Sequence, residues 1–184
     1  MNDLGTKTLF TERLILRKFE NEDLLSIFNN WISDKKMTVY LGWKAHNNLD
    51  ETRRILSIWR DQYKDGAYNW NIILKETGES IGNISVINYK KMMEENNAYM
   101  YYCIGSKYWK KGYATEALRE VIHYLSNEVG IEQISAGFDS LNVASGKVLE
   151  KVGMDRTSIL EKMGFNPNTK MYDTDRVEYS IHKK

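Results

Sequence analysis

Residues 108–118 of this chain read Y-W-K-K-G-Y-A-T-E-A-L, and the sequence predicts a secondary-structure element on each side of this stretch. Upstream, residues 98–104 (A-Y-M-Y-Y-C-I) are aromatic and apolar enough to predict a strand. Downstream, apolar side chains recur with helical spacing and predict a helix over about residues 112–128; they are Leu118, Val121, Ile122, Leu125 and Val129. The quoted stretch is therefore a short basic loop between a strand and a helix.

A basic loop with a glycine at the start of a helix is suited to bind an anion. The first N–H groups of a helix have no intrahelical partner, and the helix dipole leaves partial positive charge there. Lys110 and Lys111 add positive charge beside Gly112. We interpret the loop as a pyrophosphate cradle; the alternative is an ordinary loop glycine beside two solvated lysines. Neither G-x-x-x-x-G-K-[ST] nor G-x-G-x-x-G occurs, which argues against P-loop ATPases, kinases and Rossmann dehydrogenases.

The composition predicts one globular domain over residues 1–184. Apolar residues make up 42% of the chain, and a net charge of +1 gives no general attraction to nucleic acid or anionic membranes. The single cysteine, Cys103, excludes an internal disulfide and a cysteine-rich metal site, and its position predicts a buried thiol. The N-terminus lacks the apolar core of a signal peptide and no run of about 18 apolar residues occurs, so we expect a cytoplasmic protein.

The remaining segments predict an α+β arrangement. Helices are expected to begin at caps supplied by Asn21, Asp50 and Asn142. Further strands are predicted near residues 14–19, 70–74, 80–87, 133–138, 157–162 and 176–182. The order β-α-α-β-β-β-α-β-α-β-β is typical of one domain around a mixed sheet, here of about seven strands with about four helices.

This order, together with two segments, resembles the GCN5-related N-acetyltransferase (GNAT) superfamily. The segments are Y-W-K-K-G-Y-A-T-E-A-L at residues 108–118 and N-V-A-S-G-K-V-L-E-K-V-G-M at residues 142–154. The closer resemblance is to the RimJ/RimL-like branch, which acetylates the N-termini of ribosomal proteins. The resemblance implies a GNAT fold with a mostly antiparallel sheet, acetyl-CoA as cosubstrate, no metal, and a homodimer. It also implies a primary amine as acceptor, on a protein N-terminus or a small molecule, with neither nucleic acid nor membrane as partner.

The resemblance further implies which residues bind acetyl-CoA. In the family the pattern Q/R-x-x-G-x-G/A binds the pyrophosphate through backbone amides, and here it falls on residues 109–114 with Gly112 and Ala114 matching. Trp109 replaces the basic or amide residue. Lys110 stands where the branch usually has a glycine, and a lysine is tolerated at this position if its dihedral angles are ordinary. The implied contacts in and around the loop are Trp109, Lys110, Lys111, Gly112, Tyr113, Ala114 and Thr115.

Two neighbouring segments complete the implied site. The backbone of Tyr102 and Ile104 is expected to pair with the pantetheine arm in the manner of a strand, and Asn142 to hydrogen-bond the same arm. Ser145 lies one helical turn after Asn142 and is expected near the sulfur, as proton donor or hydrogen-bond partner. The alternative for Ser145 is a hydrogen bond to its own helix backbone.

The acid and base of the family carry over less well. The tyrosine with which many members protonate the thiolate falls on Leu149, and glutamates that others use fall on Gly137 and Tyr99. A non-catalytic acyl-CoA-binding module is therefore an alternative function. A base is also dispensable for an α-amino acceptor, whose pKa of about 8 leaves part of it neutral, unlike a lysine side chain near 10.4. The base remains open among Asp139, Glu94, Glu95, Tyr99 and Tyr101.

Overall fold

The computed structural model describes residues 1–161, 166–169 and 175–183, in which an eight-stranded sheet runs in the order β1-β2-β3-β4-β5-β6-β8-β7. Within these residues β5 and β6 are parallel, and the other neighbouring strands are antiparallel. The strands are β1 (Leu9–Phe10), β2 (Leu14–Arg17), β3 (Asn69–Leu74), β4 (Glu79–Val86), β5 (Asn97–Ile104), β6 (Gln133–Asp139), β7 (Asp155–Leu160) and β8 (Arg176–His182).

Helices pack on both faces of this sheet. They are α1 (Leu24–Ile27), α2 (Lys35–Thr38), α3 (Leu49–Gln62), α4 (Met92–Glu95), α5 (Tyr113–Tyr124) and α6 (Val143–Lys151). Turns of π-helix prolong α1 and α5, over Phe28–Ile32 and Leu125–Val129. Short 3-10 turns occur at Asn21–Asp23, Tyr63–Asp65 and Ser106–Tyr108. No helix in the described part of the chain has the length and apolar character needed to cross a bilayer.

The segments around the quoted loop form as predicted. The predicted strand is β5, and the predicted helix is α5 with its π-helical extension. All five side chains of the predicted apolar face of that helix are buried. The sheet has eight strands rather than seven because the two-residue β1 is too short to carry a periodic pattern. The predicted strand over 157–162 is β7, except that residue 162 lies outside the described residues.

Two of the predicted helix caps are wrong by one or two positions. Glu20, not Asn21, precedes the first helical segment and exchanges capping hydrogen bonds with Asp23. Asn48, not Asp50, caps α3, and its Oδ1 accepts the Glu51 N–H at 3.0 Å. Both asparagine and aspartate favour the cap position, so residue type alone did not fix the first residue of either helix.

The alternation of side chains along β5 divides the core between the two faces of the sheet. Met100, Tyr102 and Ile104 pack with the apolar side chains of α5 and α6. Tyr101 and Cys103 pack on the other face, in the cluster that includes residues of α1 and α3. Because neighbouring strands present paired residues to the same side, this alternation also assigns the faces of β6 and β8.

Candidate functional site

β5 and β6 lie side by side along only part of their length. Their pairing ends at Met100 and Ala136, although β5 continues to Ile104 and β6 to Asp139. The two strands therefore separate toward their C-terminal ends, and the gap between them is called the splay below. Since both strands are parallel here, the splay opens at the end of β5 that leads into the loop before α5.

The backbone of β5 presents polar groups to the splay. The Gly105 N–H donates to the Ile81 carbonyl at 3.0 Å, which fixes the hydrogen-bonding phase of the antiparallel β4–β5 ladder. By the alternation of such a ladder, the N–H and C=O groups of Tyr102 and Ile104 point away from β4, toward the splay. The Ile104 carbonyl already accepts the Trp109 indole N–H at 2.7 Å. An extended ligand can pair with the groups that remain.

The loop before α5 carries a row of backbone N–H groups without acceptors. Gly112 immediately precedes the helix with a φ of 83°, and Lys110 has a φ of 61°. Within the described residues, the N–H groups of residues 110–112 make no hydrogen bond, and those of the first turn of α5 have no helical partner. The condition under which a lysine is tolerated at position 110, ordinary dihedral angles, is not met: Lys110 has the left-handed conformation that favours glycine.

An ion pair beneath the loop holds it against β2. The Arg13 guanidinium donates from Nη1 to the Lys111 carbonyl at 2.9 Å and from Nε to Glu116 Oε2 at 2.7 Å, and it lies 4.6 Å from the centre of the Tyr113 ring. Glu116 Oε1 also accepts the Thr11 hydroxyl at 2.6 Å. Burial raises the pKa of Glu116, but the hydrogen bonds from Thr11 and Arg13 outweigh it and hold the pKa below its ordinary value.

The start of α6 brings a serine to a tyrosine of β5. As predicted, Asn142 caps α6, with its Oδ1 accepting the Ser145 N–H at 3.3 Å. The Tyr102 hydroxyl lies 2.6 Å from Ser145 Oγ and 3.0 Å from the Ser145 carbonyl oxygen. Burial raises the pKa of Tyr102 to about 12, so this hydroxyl keeps its proton near neutrality. The sequence predicts a role for the backbone of Tyr102 alone. Leu149, at the position of the tyrosine that many family members use, is fully buried.

On the opposite face of the sheet, three side chains form a hydrogen-bonded cluster. The Tyr99 hydroxyl donates to Glu178 Oε2 at 2.6 Å and accepts from Arg176 Nη2 at 2.6 Å, while Arg176 Nε forms an ion pair with Glu178 Oε1 at 2.8 Å. Burial, followed by the hydrogen bond to Glu178, raises the pKa of Tyr99. No sequence motif singled out Arg176 or Glu178, because only the pairing of β6 with β8 brings them to this place.

Gly137 makes room for this cluster. Gly137 pairs with Glu178 in the β6–β8 ladder. A Cβ at position 137 would lie 2.5 Å from Glu178 Oε1, 2.5 Å from the Tyr99 hydroxyl and 2.6 Å from Arg176 Nε. The absence of a side chain at this position is thus what allows the carboxylate and the tyrosine to meet.

Aromatic and polar groups continue this face beyond the cluster. The Trp43 indole N–H donates to the Tyr101 hydroxyl at 3.1 Å, and the His46 ring packs edge-on to Trp43, with its Nδ1 2.9 Å from the Thr52 hydroxyl. Burial lowers the pKa of His46, so its ring is neutral at pH 7. The Asn168 side-chain amide fixes this region by donating to the carbonyls of Thr38, Leu41 and Trp43.

Three of the other groups considered as bases have structural partners, namely Asp139, Glu95 and Tyr101. Asp139 Oδ1 accepts the Leu141 N–H at 2.9 Å, and Glu95 Oε2 accepts the Asn88 amide at 2.9 Å. Tyr101 is hydrogen-bonded to Trp43, and burial raises its pKa well above the ordinary value. In the described residues, no group of three or more His, Cys, Asp and Glu side chains is arranged to hold a metal ion.

The family model of the acetyltransferase (GNAT) domain matches residues 13–155, from β2 to the start of β7. The chain belongs to the GNAT acetyltransferase family. It is an N-acetyltransferase of the RimJ/RimL type, so the alternative of a non-catalytic module is not retained. The uncharacterised N-acetyltransferase p20 of Bacillus licheniformis is 31% identical over 156 residues, covering 84% of this chain and 85% of that protein.

Solved structures of GNAT proteins superpose over almost the whole chain. A GNAT-family acetyltransferase from Bacillus anthracis has a TM-score of 0.80 at 27% identity, covering 96% of this chain and 98% of its own. RimL, a ribosomal L7/L12 alpha-N-protein acetyltransferase solved with coenzyme A, has a TM-score of 0.81 at 14% identity, with coverages of 96% and 98%. The predicted α+β GNAT fold is therefore confirmed.

Proposed function

We propose that this GNAT acetyltransferase transfers the acetyl group of acetyl-CoA directly to a primary amine, on a peptide N-terminus or a small molecule. The row of unbonded N–H groups from Lys110 to Thr115, adjoining the polar edge of the splay, carries this proposal. A diphosphate needs several hydrogen-bond donors and positive charge together, and a helix N-terminus preceded by two lysines supplies both.

The remaining implied contacts fit a ligand that runs from the loop into the splay. The pyrophosphate binds at residues 110–115, and the pantetheine arm pairs with the free backbone groups of Tyr102 and Ile104. Asn142 uses Oδ1 for its helix cap, so Nδ2 is the atom that donates to the arm. The coenzyme A complex of RimL, whose fold this chain shares, supports the same class of ligand.

The thiol of coenzyme A leaves on the α6 side of the splay. A free thiol has a pKa of about 8.5, so a proton donor near the sulfur helps the thiolate depart. Ser145 Oγ and the Tyr102 hydroxyl share a hydrogen bond of 2.6 Å there, and both carry a proton near neutrality. Ser145 delivers its proton to the sulfur and is recharged through Tyr102.

Transfer is direct because the single cysteine of the chain is unsuited to act as a nucleophile at this place. Cys103 is buried, burial raises the pKa of its thiol to about 12, and its side chain lies on the other face of β5 from Tyr102. The amine must therefore attack the thioester itself, and it must do so without its extra proton. An α-amino group with a pKa of about 8 meets this requirement more easily than a lysine side chain near 10.4, which favours an N-terminal or similar amine.

Calorimetric titration with acetyl-CoA tests the cradle. We expect micromolar binding to the wild type and at least about tenfold weaker binding to Gly112→Asp, since a side chain at a φ of 83° strains the loop and its carboxylate adds negative charge next to the row of N–H groups. Gly78→Asp is the matched control, because Gly78 also has a positive φ, at 71°, but lies in the β3–β4 turn with open space around it. Equal affinity of Gly112→Asp and wild type refutes the cradle.

Thiol release with a panel of amines then tests the transfer. The panel contains short peptides with free and with acetylated N-termini, together with small primary amines. Release that needs the free amine supports the proposal, and acetyl-CoA binding without release by any amine contradicts it. The homodimer implied by the resemblance stays a prediction, which light scattering after size exclusion checks.

A further inference from the structure

The two sides of the splay carry different chemical groups. Tyr102 and Ser145 lie on the face covered by α5 and α6, where the proposed function places the departing sulfur. Glu178 and Tyr99 lie on the opposite face, because Tyr99 has the opposite parity to Tyr102 on β5. A proton donor for the thiol and a carboxylate are thus separated by the thickness of one sheet.

Glu178 lies at the point where the splay begins. It pairs with Gly137, the first residue of β6 beyond the last β5–β6 pair at Ala136. Its side chain is only 13% exposed, yet the carboxylate meets no side chain from β6, since Gly137 has none. The carboxylate is therefore near the place where an amine on this face meets a thioester in the splay.

The neighbours of Glu178 hold the carboxylate without using all of its acceptor sites. Within the described residues each oxygen has one polar partner, Tyr99 on Oε2 and Arg176 on Oε1, whereas an ionised carboxylate can accept about four hydrogen bonds. The groups that face Glu178 from the neighbouring strands are Tyr99 on β5, Gly137 on β6 and Ser158 on β7, with Arg176 on its own strand. Tyr99 is thus the titratable side chain that faces Glu178 from a neighbouring strand, and Arg176 is the charged one on its own strand.

We propose that Glu178 accepts the proton of the attacking amine, directly or through one water, and that Tyr99 and Arg176 are positioning residues for it. This assignment rests on the proposed function. The ammonium gives one proton to the Glu178 carboxylate, and the nitrogen lone pair forms the C–N bond at the thioester carbonyl. The C–S bond breaks with its electron pair on sulfur, which takes a proton from Ser145. The nitrogen loses its second proton as the amide forms, and solvent carries this proton to Tyr102, which restores the proton of Ser145. Glu178 releases the first proton to solvent, so that one amide, one thiol and one proton leave.

The assignment predicts a specific loss in Glu178→Gln. With the fastest amine of the panel, or with water as acceptor, we expect kcat at pH 7 to fall by about 10²-fold or more, while acetyl-CoA affinity stays within twofold of wild type by calorimetry. The deficit shrinks as pH approaches the pKa of the amine, because the amine then arrives without its extra proton. Glu132→Gln, exposed before β6, is the matched control and keeps the wild-type rate and pH profile.

Two further variants separate proton transfer from structural support. Tyr99→Phe removes one hydrogen bond to Glu178 and is expected to lower kcat by less than Glu178→Gln, with the shape of the wild-type pH profile retained. Glu178→Asp keeps a carboxylate at the same position on a side chain one methylene shorter, whereas Glu178→Ala removes it. Glu178→Asp is expected to retain at least about tenfold more kcat than Glu178→Ala.

Each outcome decides the assignment. If Glu178→Gln keeps the wild-type kcat and pH profile, or loses rate equally at every pH while Glu178→Asp is no faster than Glu178→Ala, Glu178 is not the proton acceptor. A wild type that binds acetyl-CoA but releases no thiol with any amine or with water also overturns it. Failure of the proposed function is recognised separately, because it shows in the wild type alone, as no acetyl-CoA binding or no thiol release with any amine, whereas a wrong assignment of Glu178 shows only when an active wild type is compared with its Glu178 variants.

Discussion

The phenolic oxygen of Tyr102 on β5 lies 2.6 Å from Oγ of Ser145 on α6, and this hydrogen bond joins the strand to the helix beside the splay. The tyrosine is held in place because its hydroxyl also reaches the Ser145 carbonyl oxygen, at 3.0 Å. Tyr102 of β5 thus places a phenol beside Ser145. The α6 position at which many family members have a tyrosine is here Leu149, which is apolar and buried.

If the two hydroxyls deliver one proton together, their removal is not additive. We expect Ser145→Ala and Tyr102→Phe each to lower kcat by about tenfold or more, and the double variant to be little slower than the slower single variant. Steady-state thiol release measures this, with acetyl-CoA affinity measured in parallel. Ser140→Ala, in the loop before α6, serves as the control. Losses that multiply in the double variant would show that the hydroxyls act independently.

The left-handed backbone of Lys110 predicts that a glycine is better tolerated there than a lysine. The left-handed conformation costs a non-glycine residue about 1–2 kcal/mol, whereas glycine costs about 0.5–1 kcal/mol in lost freedom on folding. Lys110→Gly is therefore expected to raise the free energy of unfolding by up to about 1 kcal/mol, measured by denaturant titration. Lys111→Gly removes the same charge at a residue with negative φ and should not stabilise. A lower free energy of unfolding for Lys110→Gly than for wild type would contradict the backbone strain inferred at Lys110.

The carboxylate of Glu116 makes the stability of the loop dependent on pH. Its folded-state pKa lies below that of an exposed glutamate, so its contribution is present above the unfolded pKa of about 4.3 and is lost as pH falls through the folded pKa. We expect Glu116→Gln to lower the free energy of unfolding by about 1 kcal/mol at pH 7. The difference from wild type should shrink as the pH is lowered below 4.3. Glu76→Gln, exposed in the β3–β4 turn, should show no such difference.

The buried thiol of Cys103 predicts an unreactive cysteine. The thiol is only 6% exposed, its Sγ lies 3.7 Å from Asn83 Oδ1, and its pKa is raised to about 12 by burial. Iodoacetamide at pH 7 should therefore modify the native protein far more slowly than the unfolded protein, as followed by mass spectrometry. Cys103→Ala should release coenzyme A from acetyl-CoA as fast as wild type, with no burst phase that would indicate an acyl-enzyme. Loss of transfer in a folded Cys103→Ala variant would contradict direct transfer.

The local parts of this fold could be predicted from the sequence because each carries its own short-range signal. The apolar face of α5 shows helical spacing, and Asn142 caps α6 through a hydrogen bond to a residue within the same turn. By contrast, the same reasoning placed the start of α3 at Asp50 instead of Asn48, since several neighbouring polar residues are acceptable caps.

The chemically important pairs could not be predicted in this way, since they depend on the register between distant strands. Glu178 meets Tyr99 because β8 pairs with β6 at Gly137 and β6 pairs with β5 only as far as Ala136. A shift of one residue in either ladder would turn the Glu178 side chain to the other face. Gly137 was the one residue in the sequence that pointed to this place. By itself it indicated that the family's catalytic glutamate is missing, and it did not reveal that the space is filled by Glu178 of β8.

The splay also has a consequence for the order in which substrates and products move. In the proposed direct transfer, acetyl-CoA and the amine approach the same carbonyl from opposite faces of the sheet, which is open between β5 and β6, and neither blocks the route of the other. The proposal therefore requires both substrates to be bound before any product leaves. Initial rates measured against one substrate at several fixed concentrations of the other should give intersecting reciprocal lines, not the parallel lines of an enzyme that must discharge one product first.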